Sequence, residues 1–280
     1  MVELTEGQIA DLHELQQFCA ELNTDLVIIG AIAYQYHFPR EDRHTSDIDS
    51  AVALDLDDFA ELERRLETAK WTQTPNREHR WQSSRGTLLD LIPAGTELRK
   101  AKQITWPDSQ FTMSLVGFEH VFSNSEEVEL ASGLKLKVIP PVVLVLLKIV
   151  AFLDDQQRRA KDLLDIRSIF SSYEEDSERI FSDEVLDATL ADWSFANAFL
   201  MGIDLRSLST LEELPVIHEF VRTICDEARP AWAAFVRAAP HAGERDEEQA
   251  STQFEAFKKG LDHSTSLFQT VPINPRNSHE

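Results

Sequence analysis

Two aspartates separated by one residue, Asp47 and Asp49, are the first residues of this sequence whose types and spacing suggest chemistry. They lie in an alternating run, residues 47–54, that predicts a β-strand, and side chains two apart on a strand point to the same face. Two carboxylates on one face repel each other unless a cation binds or one of them is protonated. Oxygen ligands without Cys or His favour Mg²⁺ or Mn²⁺ over zinc. The pair predicts a divalent-cation site, although two acids that cap a strand in solvent would give the same pattern.

A third carboxylate, Asp90, lies within the apolar run of residues 87–92. An isolated charge in such a strand is costly unless it is paired or bound to a metal. If this strand neighbours the strand of Asp47, the three acids form a cluster that suits two-metal phosphoryl or nucleotidyl transfer. The alternative is a strand-end residue that faces water.

Gly30 ends a short apolar run, residues 25–30, that predicts a buried strand, and a helical turn is expected over residues 31–36. A strand, a glycine and a helix start allow close backbone approach and leave N–H groups free for phosphate. This signal is weak alone, but Gly30 precedes Asp47 by only 17 residues.

The elements around these residues predict an α+β fold: a small mixed sheet with flanking helices, followed by a helical domain. Further strands are expected over residues 79–83, 87–92 and 134–139, the first two forming a hairpin around the turn Ser84-Arg85-Gly86. Helices are expected over residues 5–22, 57–70, 142–153, 159–170, 184–191, 194–205, 211–227, 231–238 and 247–259. We therefore expect a core domain over residues 1–139, a helical domain over 140–260 and a flexible tail over 261–280.

The composition excludes several classes of protein. The formal net charge of -22 repels polyanions at long range, so neither a DNA-coating protein nor sequence-specific DNA binding is expected. The two cysteines suggest no disulfide framework, and no signal peptide is visible, which favours a cytoplasmic protein. The longest apolar run, residues 142–153, is too short to span a membrane and contains Lys148. Walker, dinucleotide-binding, zincin and serine-hydrolase motifs are all absent.

Three segments, in order, carry a resemblance to a known family: Ile28-Ile29-Gly30-Ala31-x-Ala33, Arg43-x-Thr45-x-Asp47-Ile48-Asp49 and Leu89-Asp90-Leu91-Ile92-Pro93. They resemble the nucleotidyltransferase superfamily with the polymerase-β-like core. Within it, the chain is similar to the AbiEii/AbiGii branch of toxin-like enzymes. Later segments of the resemblance, which covers about residues 25–205, are Ile104-x-Trp106-Pro107, Gly117-Phe118-Glu119, Leu147-Lys148, Lys161-Asp162-x-x-Asp165-Ile166 and Ala198-Phe199-Leu200-Met201-Gly202-x-Asp204.

The resemblance implies roles for particular residues. Asp47, Asp49 and Asp90 would be the catalytic and metal-binding acids, with Asp90 helping to deprotonate the acceptor hydroxyl. The implied nucleotide-binding residues are Gly30, Ala31, Arg43, Thr45, Lys148, Lys161, Asp162 and Asp165. Many superfamily members have Gly-Gly or Gly-Ser where this chain has Gly30-Ala31, a difference that leaves the backbone contacts possible.

Ordinary structural roles are open for the later residues. Lys148 could pack its stem on the core as a snorkelling lysine rather than contact a triphosphate. Lys161 and Asp165 are four residues apart on a predicted helix, as are Arg158 and Asp162, so ion pairs along the helix would explain them.

The implied activity is Mg²⁺- or Mn²⁺-dependent transfer of a nucleoside monophosphate from an NTP to a hydroxyl, with release of pyrophosphate. The implied acceptor is RNA, such as a tRNA end, or a protein, and the setting is a toxin held in check by an antitoxin protein. One alternative is nucleotidylation of a small molecule such as an aminoglycoside, which the acidic surface also suits. Another is a catalytically weak relative that acts as a binding or regulatory module.

Overall fold

The computed structural model describes residues 4–39, 47–175, 177–226, 230–238 and 246–263. The strands in this part of the chain are β1 (Leu26–Ile29), β2 (Asp47–Val52), β3 (Thr72–Thr74), β4 (Arg77–Gln82), β5 (Leu88–Pro93), β6 (Gln103–Thr105), β7 (Thr112–Ser114), β8 (Glu126–Glu129) and β9 (Lys135–Val138). Seven of them form one mixed sheet in the order β3-β4-β5-β2-β1-β9-β8, and β6 pairs with β7 separately. The predicted mixed sheet is confirmed.

The middle of the sheet brings the predicted site strands together. Strand β2 lies between β1, to which it is antiparallel, and β5, to which it is parallel. Strand β5 is also antiparallel to β4, as the predicted hairpin requires. All four residues of β1 are buried, whereas β2 and β5 each begin with alternating buried and partly exposed residues. Their partly exposed face is the one that carries the aspartates.

Helices surround the sheet and then make up the rest of the described chain. They are α1 (Glu6–Glu21), α2 (Gly30–His37), α3 (Leu56–Thr68), α4 (Thr96–Ala101), α5 (Phe118–Ser123), α6 (Pro141–Asp154), α7 (Asp162–Ser172), α8 (Asp183–Asp187), α9 (Ala196–Leu208), α10 (Leu214–Cys225), α11 (Pro230–Arg237) and α12 (Glu247–Asp262). All nine predicted helices are present. The largest difference in length is in α10, which begins at Leu214, three residues later than predicted, and ends at Cys225; α8 is also shorter than predicted and ends at Asp187.

Local sequence explains where the helices beside the site begin. The side chain of Thr5 accepts a hydrogen bond from the backbone N–H of Gln8 and forms a capping box at the start of α1. Pro141 begins α6, where its missing N–H costs nothing because the first helical N–H groups have no partner. Helix α2 contacts both β2 and α6. His37, at the end of α2, contacts the carbonyl oxygen of Ile139 at 2.8 Å, immediately before α6. These contacts hold α6 beside the site strands.

The segment between β5 and β9 was the least predictable. Strands β6 and β7 have three residues each, and three of the four residues of β8 are exposed, so no apolar run marks them. The change from strands to helices falls between Val138 and Pro141, where we expect the domain boundary. Helix α12 extends to Asp262, and from residue 264 onward the expected tail lies outside the described residues. None of the helices in the described ranges is long and apolar enough to cross a membrane.

Candidate active site

The turn between β1 and α2 holds one carboxylate directly against the backbone. Gly30 has φ of +67°, in the left-handed region, and a Cβ at this position would lie 2.1 Å from Oδ2 of Asp49. The backbone N–H of Ala31 donates a hydrogen bond to the same carboxylate. A glycine is therefore required here both by its backbone conformation and by the close approach of Asp49.

Three carboxylates meet on the partly exposed face of β2 and β5. Asp49 pairs with Asp90 in the parallel register, and Asp47 lies two residues before Asp49 on the same face. We call Asp47, Asp49 and Asp90 the acid cluster. Burial raises the pKa of Asp49 to about 6, together with the negative charges of Asp90 and Asp47. The cluster thus carries more negative charge than its surroundings balance.

Arg80, on β4, is a site residue that the sequence analysis missed. It pairs with Asp90 across the hairpin and donates from Nε to Oδ1 at 2.7 Å and from Nη2 to Oδ2 at 2.6 Å. The same Nη2 donates to Oδ2 of Asp47 at 2.8 Å. These hydrogen bonds to Asp90 raise the pKa of Arg80 further, although burial opposes the shift. The predicted hairpin could have revealed Arg80. A turn at residues 84–86 sets a register in which Arg80 lies opposite Asp90.

The acid cluster has the donor chemistry of a magnesium or manganese site. Its carboxylate oxygens are hard ligands, and a cation would offset both the burial and the neighbouring negative charges that raise the pKa of Asp49. Over the described ranges, no three His, Cys, Asp or Glu side chains are already arranged to hold a metal ion. Because Arg80 engages Asp47 and Asp90, a metal that used all three acids would have to share or replace its hydrogen bonds.

A second charged group lies between α6 and α7. Lys148 Nζ lies 3.0 Å from Oδ1 of Asp162 and 2.5 Å from Oδ2 of Asp165, and all three side chains are buried. We call these three residues the lysine cluster. Burial alone would lower the pKa of Lys148, but the two carboxylates outweigh it and raise that pKa. The ammonium charge also reaches Asp49 and opposes the rise of its pKa. The two clusters are therefore electrostatically coupled.

The expected ion pairs along α7 are replaced by this cluster. Asp165 pairs with Lys148, whereas Lys161 is exposed at the start of the helix. Asp162 pairs with Lys148 and lies 3.7 Å from Nη1 of Arg159 rather than near Arg158. Lys148 does not snorkel to the surface, because its ammonium is buried and pairs with two carboxylates. Two further predicted nucleotide-binding residues, Arg43 and Thr45, lie outside the described residues.

A mixed sheet that carries three aspartates on neighbouring strands, beside a glycine turn and a helix-borne lysine, is the arrangement expected of the nucleotidyltransferase superfamily. The family described as "Nucleotidyl transferase AbiEii toxin, Type IV TA system" matches residues 15–271. The chain belongs to this family and is a nucleotidyltransferase. The resemblance inferred from the sequence is confirmed.

Solved structures show weaker similarity. The solution structure of the antibiotic-resistance factor ANT(2'')-Ia is 17% identical, covers 54% of this chain and 75% of its own, and has a TM-score of 0.37. ANT(2'')-Ia in complex with adenylyl-2''-tobramycin is 14% identical, covers 76% and 96%, and has a TM-score of 0.36. An antigenic nucleotidyltransferase-like protein from Paracoccidioides brasiliensis is 17% identical, covers 59% and 76%, and has a TM-score of 0.39. No curated protein matches the chain.

Proposed function

We propose that this protein transfers a nucleoside monophosphate from an NTP to a hydroxyl acceptor and releases pyrophosphate, with Mg²⁺ or Mn²⁺ bound by Asp47, Asp49 and Asp90. The observation that carries the proposal is the pairing of Asp49 with Asp90 on neighbouring strands, with Asp47 on the same face. A metal ion bound by these acids would neutralise charge that develops on the phosphates and on the leaving pyrophosphate. Asp90 would accept the proton of the attacking hydroxyl.

The residues around the acid cluster would bind the nucleotide. The N–H groups at the start of α2, next to Gly30 and Ala31, suit a phosphate, because helix N-termini favour negative charge. Lys148 would supply positive charge from α6, the helix that contacts α2. Oδ2 of Asp162 is buried and forms no hydrogen bond within the described structure, with Nη1 of Arg159 3.7 Å away, so it could accept a hydrogen bond from a substrate group. Arg43, Thr45, Lys161 and Asp165 complete the proposed set.

We infer that the acceptor is RNA, such as a tRNA end, or a protein hydroxyl, and that the chain acts as the toxin of a bacterial toxin–antitoxin system. The family description supports this setting, since it names a toxin and a type IV system. An antitoxin protein would then limit its activity. The cytoplasm would supply the NTP, the metal and the acceptor together. We propose the division into a core domain over 1–139 and a helical domain over 140–260 as the two walls of the cleft.

A second candidate acceptor is a cationic small molecule. The formal net charge of -22 attracts cations and repels the RNA backbone at long range. Transfer to RNA would fall steeply with rising salt if lysines and arginines bind the phosphates. Insensitivity of transfer to salt, together with turnover of a small molecule such as an aminoglycoside, would favour this second acceptor.

The deciding experiment is label transfer. The protein is incubated with each α-labelled NTP, Mg²⁺ or Mn²⁺, and bacterial RNA, protein or an aminoglycoside. The comparison is with Asp47→Asn/Asp49→Asn and with Asp58→Asn, which removes an exposed acid on α3. Label in one acceptor class with wild type and Asp58→Asn only would establish the reaction and its acceptor. The opposite outcome is no label in any fraction, together with no change in melting temperature on adding Mg²⁺ and NTP. It would reject the proposed transfer reaction and favour a binding or regulatory module.

A further inference from the structure

The side chain of Arg80 contacts carboxylates on two other strands, whereas an ordinary cross-strand ion pair joins adjacent strands only. Its pairing with Asp90 joins neighbouring strands, but Asp47 lies on β2, one strand beyond β5. The guanidinium spans that distance and uses one nitrogen, Nη2, for both carboxylates. The exposed fractions of the Arg80, Asp47 and Asp90 side chains are 20%, 31% and 13%, so these ion pairs are largely shielded from water.

The charges of the site explain why a cation belongs at this position. The acid cluster has three negative charges when fully ionised, and Arg80 supplies one positive charge. Counting these four side chains alone, two negative charges remain, which equals the charge of one divalent cation. Arginine is suited to this position because it stays protonated and its planar fork matches a carboxylate in two places. The positive charge of Arg80 thus balances part of the negative charge that a metal ion would balance.

We propose that Arg80 is an internal counter-cation that holds Asp47 and Asp90 in the metal-free protein and competes with the divalent cation for them. The inference rests on the proposed function, since it assumes that the cation binds at the acid cluster. Arg80 then sets the metal concentration at which the site fills. It is a positioning residue: it holds the acids, and the acids bind the metal.

A purely structural salt bridge predicts a different result. If Arg80 only fastens β4 to β5, its removal destabilises the protein and disorders Asp90, so that metal binding weakens or is unchanged. If Arg80 competes with metal, its removal also destabilises the metal-free protein, but metal binding becomes tighter. Removing one positive charge beside the cluster, and freeing oxygens on two ligands, both favour the cation. The direction of the change in metal affinity therefore separates the two roles.

The test uses the full-length protein without nucleotide. Arg80→Gln removes the charge, Arg80→Lys keeps it but lacks the planar fork that engages Asp90 through two nitrogens, and Arg64→Gln is the matched control. Arg64 is an exposed arginine of α3 whose side chain is 70% accessible and pairs with Glu61. Thermal unfolding in a chelator measures the metal-free protein, and titration followed by the electron paramagnetic resonance of free Mn²⁺ measures binding.

Compared with Arg64→Gln, we expect Arg80→Gln to unfold about 5 °C lower without metal. We also expect it to bind Mn²⁺ about tenfold more tightly than wild type. Arg80→Lys should show a smaller gain in affinity, about threefold, and provides the same test if Arg80→Gln does not fold.

Weaker or unchanged Mn²⁺ binding in the Arg80 variants would overturn the inference, whatever their stability. If binding is unchanged there but lost in Asp47→Asn/Asp49→Asn, the proposed metal site stands and only the role of Arg80 fails. If neither wild type nor Arg80→Gln binds Mn²⁺, both fail together.

Discussion

Replacing Gly30 with alanine tests the central geometric claim, that the turn after β1 positions Asp49. The added Cβ would lie 2.1 Å from Oδ2 and 2.7 Å from Cγ of Asp49, closer than the 3.0 Å below which a neighbour must move. The carboxylate would have to leave its present position and lose the hydrogen bond from the N–H of Ala31. Both stability and activity should therefore change.

The magnitude follows from three contributions. Alanine in the left-handed region costs about 1–2 kcal/mol. Loss of a hydrogen bond to a charged group costs about 1.5–3 kcal/mol. Moving Asp49 away from Asp47 and Asp90 relieves part of their mutual repulsion and offsets some of this cost. We expect a net loss of roughly 2–4 kcal/mol in the free energy of unfolding and, because about 1 Å of misplacement can cost 100-fold, at least that loss of transfer activity.

Gly133→Ala is a matched control, because Gly133 has φ of +79° and a Cβ there would have nothing within 4 Å. It should cost only the backbone contribution, about 1–2 kcal/mol. Urea unfolding of Gly30→Ala, Asp49→Ala and the double variant then gives the coupling between the two positions. A coupling of at least about 1 kcal/mol is expected. If Gly30→Ala loses no more stability than Gly133→Ala and shows no coupling to Asp49, the reasoning is wrong.

Two other charged groups give testable outcomes. Glu213 Oε2 lies 2.9 Å from Nε2 of His120, and that hydrogen bond raises the pKa of His120. Burial opposes ionisation of Glu213, but its hydrogen bonds outweigh burial and lower its pKa. The pair therefore stabilises the fold most between pH 4.5 and 6.5, and less as pH rises through the raised pKa of His120 or falls through the lowered pKa of Glu213. Urea unfolding should show that Glu213→Gln loses about 3 kcal/mol at pH 5.5 and clearly less at pH 9; equal losses would contradict this. Lys148→Met should lose about 3–5 kcal/mol in the same assay, because Asp162 and Asp165 stay buried without their cation. Adding Asp162→Asn and Asp165→Asn should restore most of that loss, and a loss that persists would point to packing instead.

The sequence was sufficient to predict a strand or helix where burial produces a regular pattern of apolar residues. The apolar run before Gly30 and the alternating run from Asp47 gave strands β1 and β2, because one is buried on both faces and the other on one. The edge strands β6, β7 and β8 have no such pattern, since they are short and largely exposed. The pairing of these strands depends on which strands lie beside them in the fold, and the local sequence does not indicate this.

The site was predictable to a similar degree. The condition that the sequence set for a three-carboxylate cluster, that the strand of Asp90 neighbours the strand of Asp47, is met by β2 and β5. Arg80 is not part of any carboxylate motif, and only the register of the hairpin places it opposite Asp90. The partners of Lys148 were missed for a different reason. Ion pairs along one helix can be read from spacing, whereas a pair between α6 and α7 depends on how the two helices pack.

The two clusters together would explain why the proposed reaction needs a divalent cation. Arg80 offers one positive charge to the three carboxylates of the acid cluster, and Lys148 offers one to the two carboxylates of the lysine cluster. A nucleoside triphosphate is itself strongly negative, so the unaided site would repel it even though a helix N-terminus and an ammonium are nearby. A divalent cation reverses this balance, because it is attracted by the acids and then attracts the phosphates. In the proposed reaction the carboxylates would thus disfavour nucleotide binding until the cation is present, and this condition would link nucleotide binding to assembly of the reactive site.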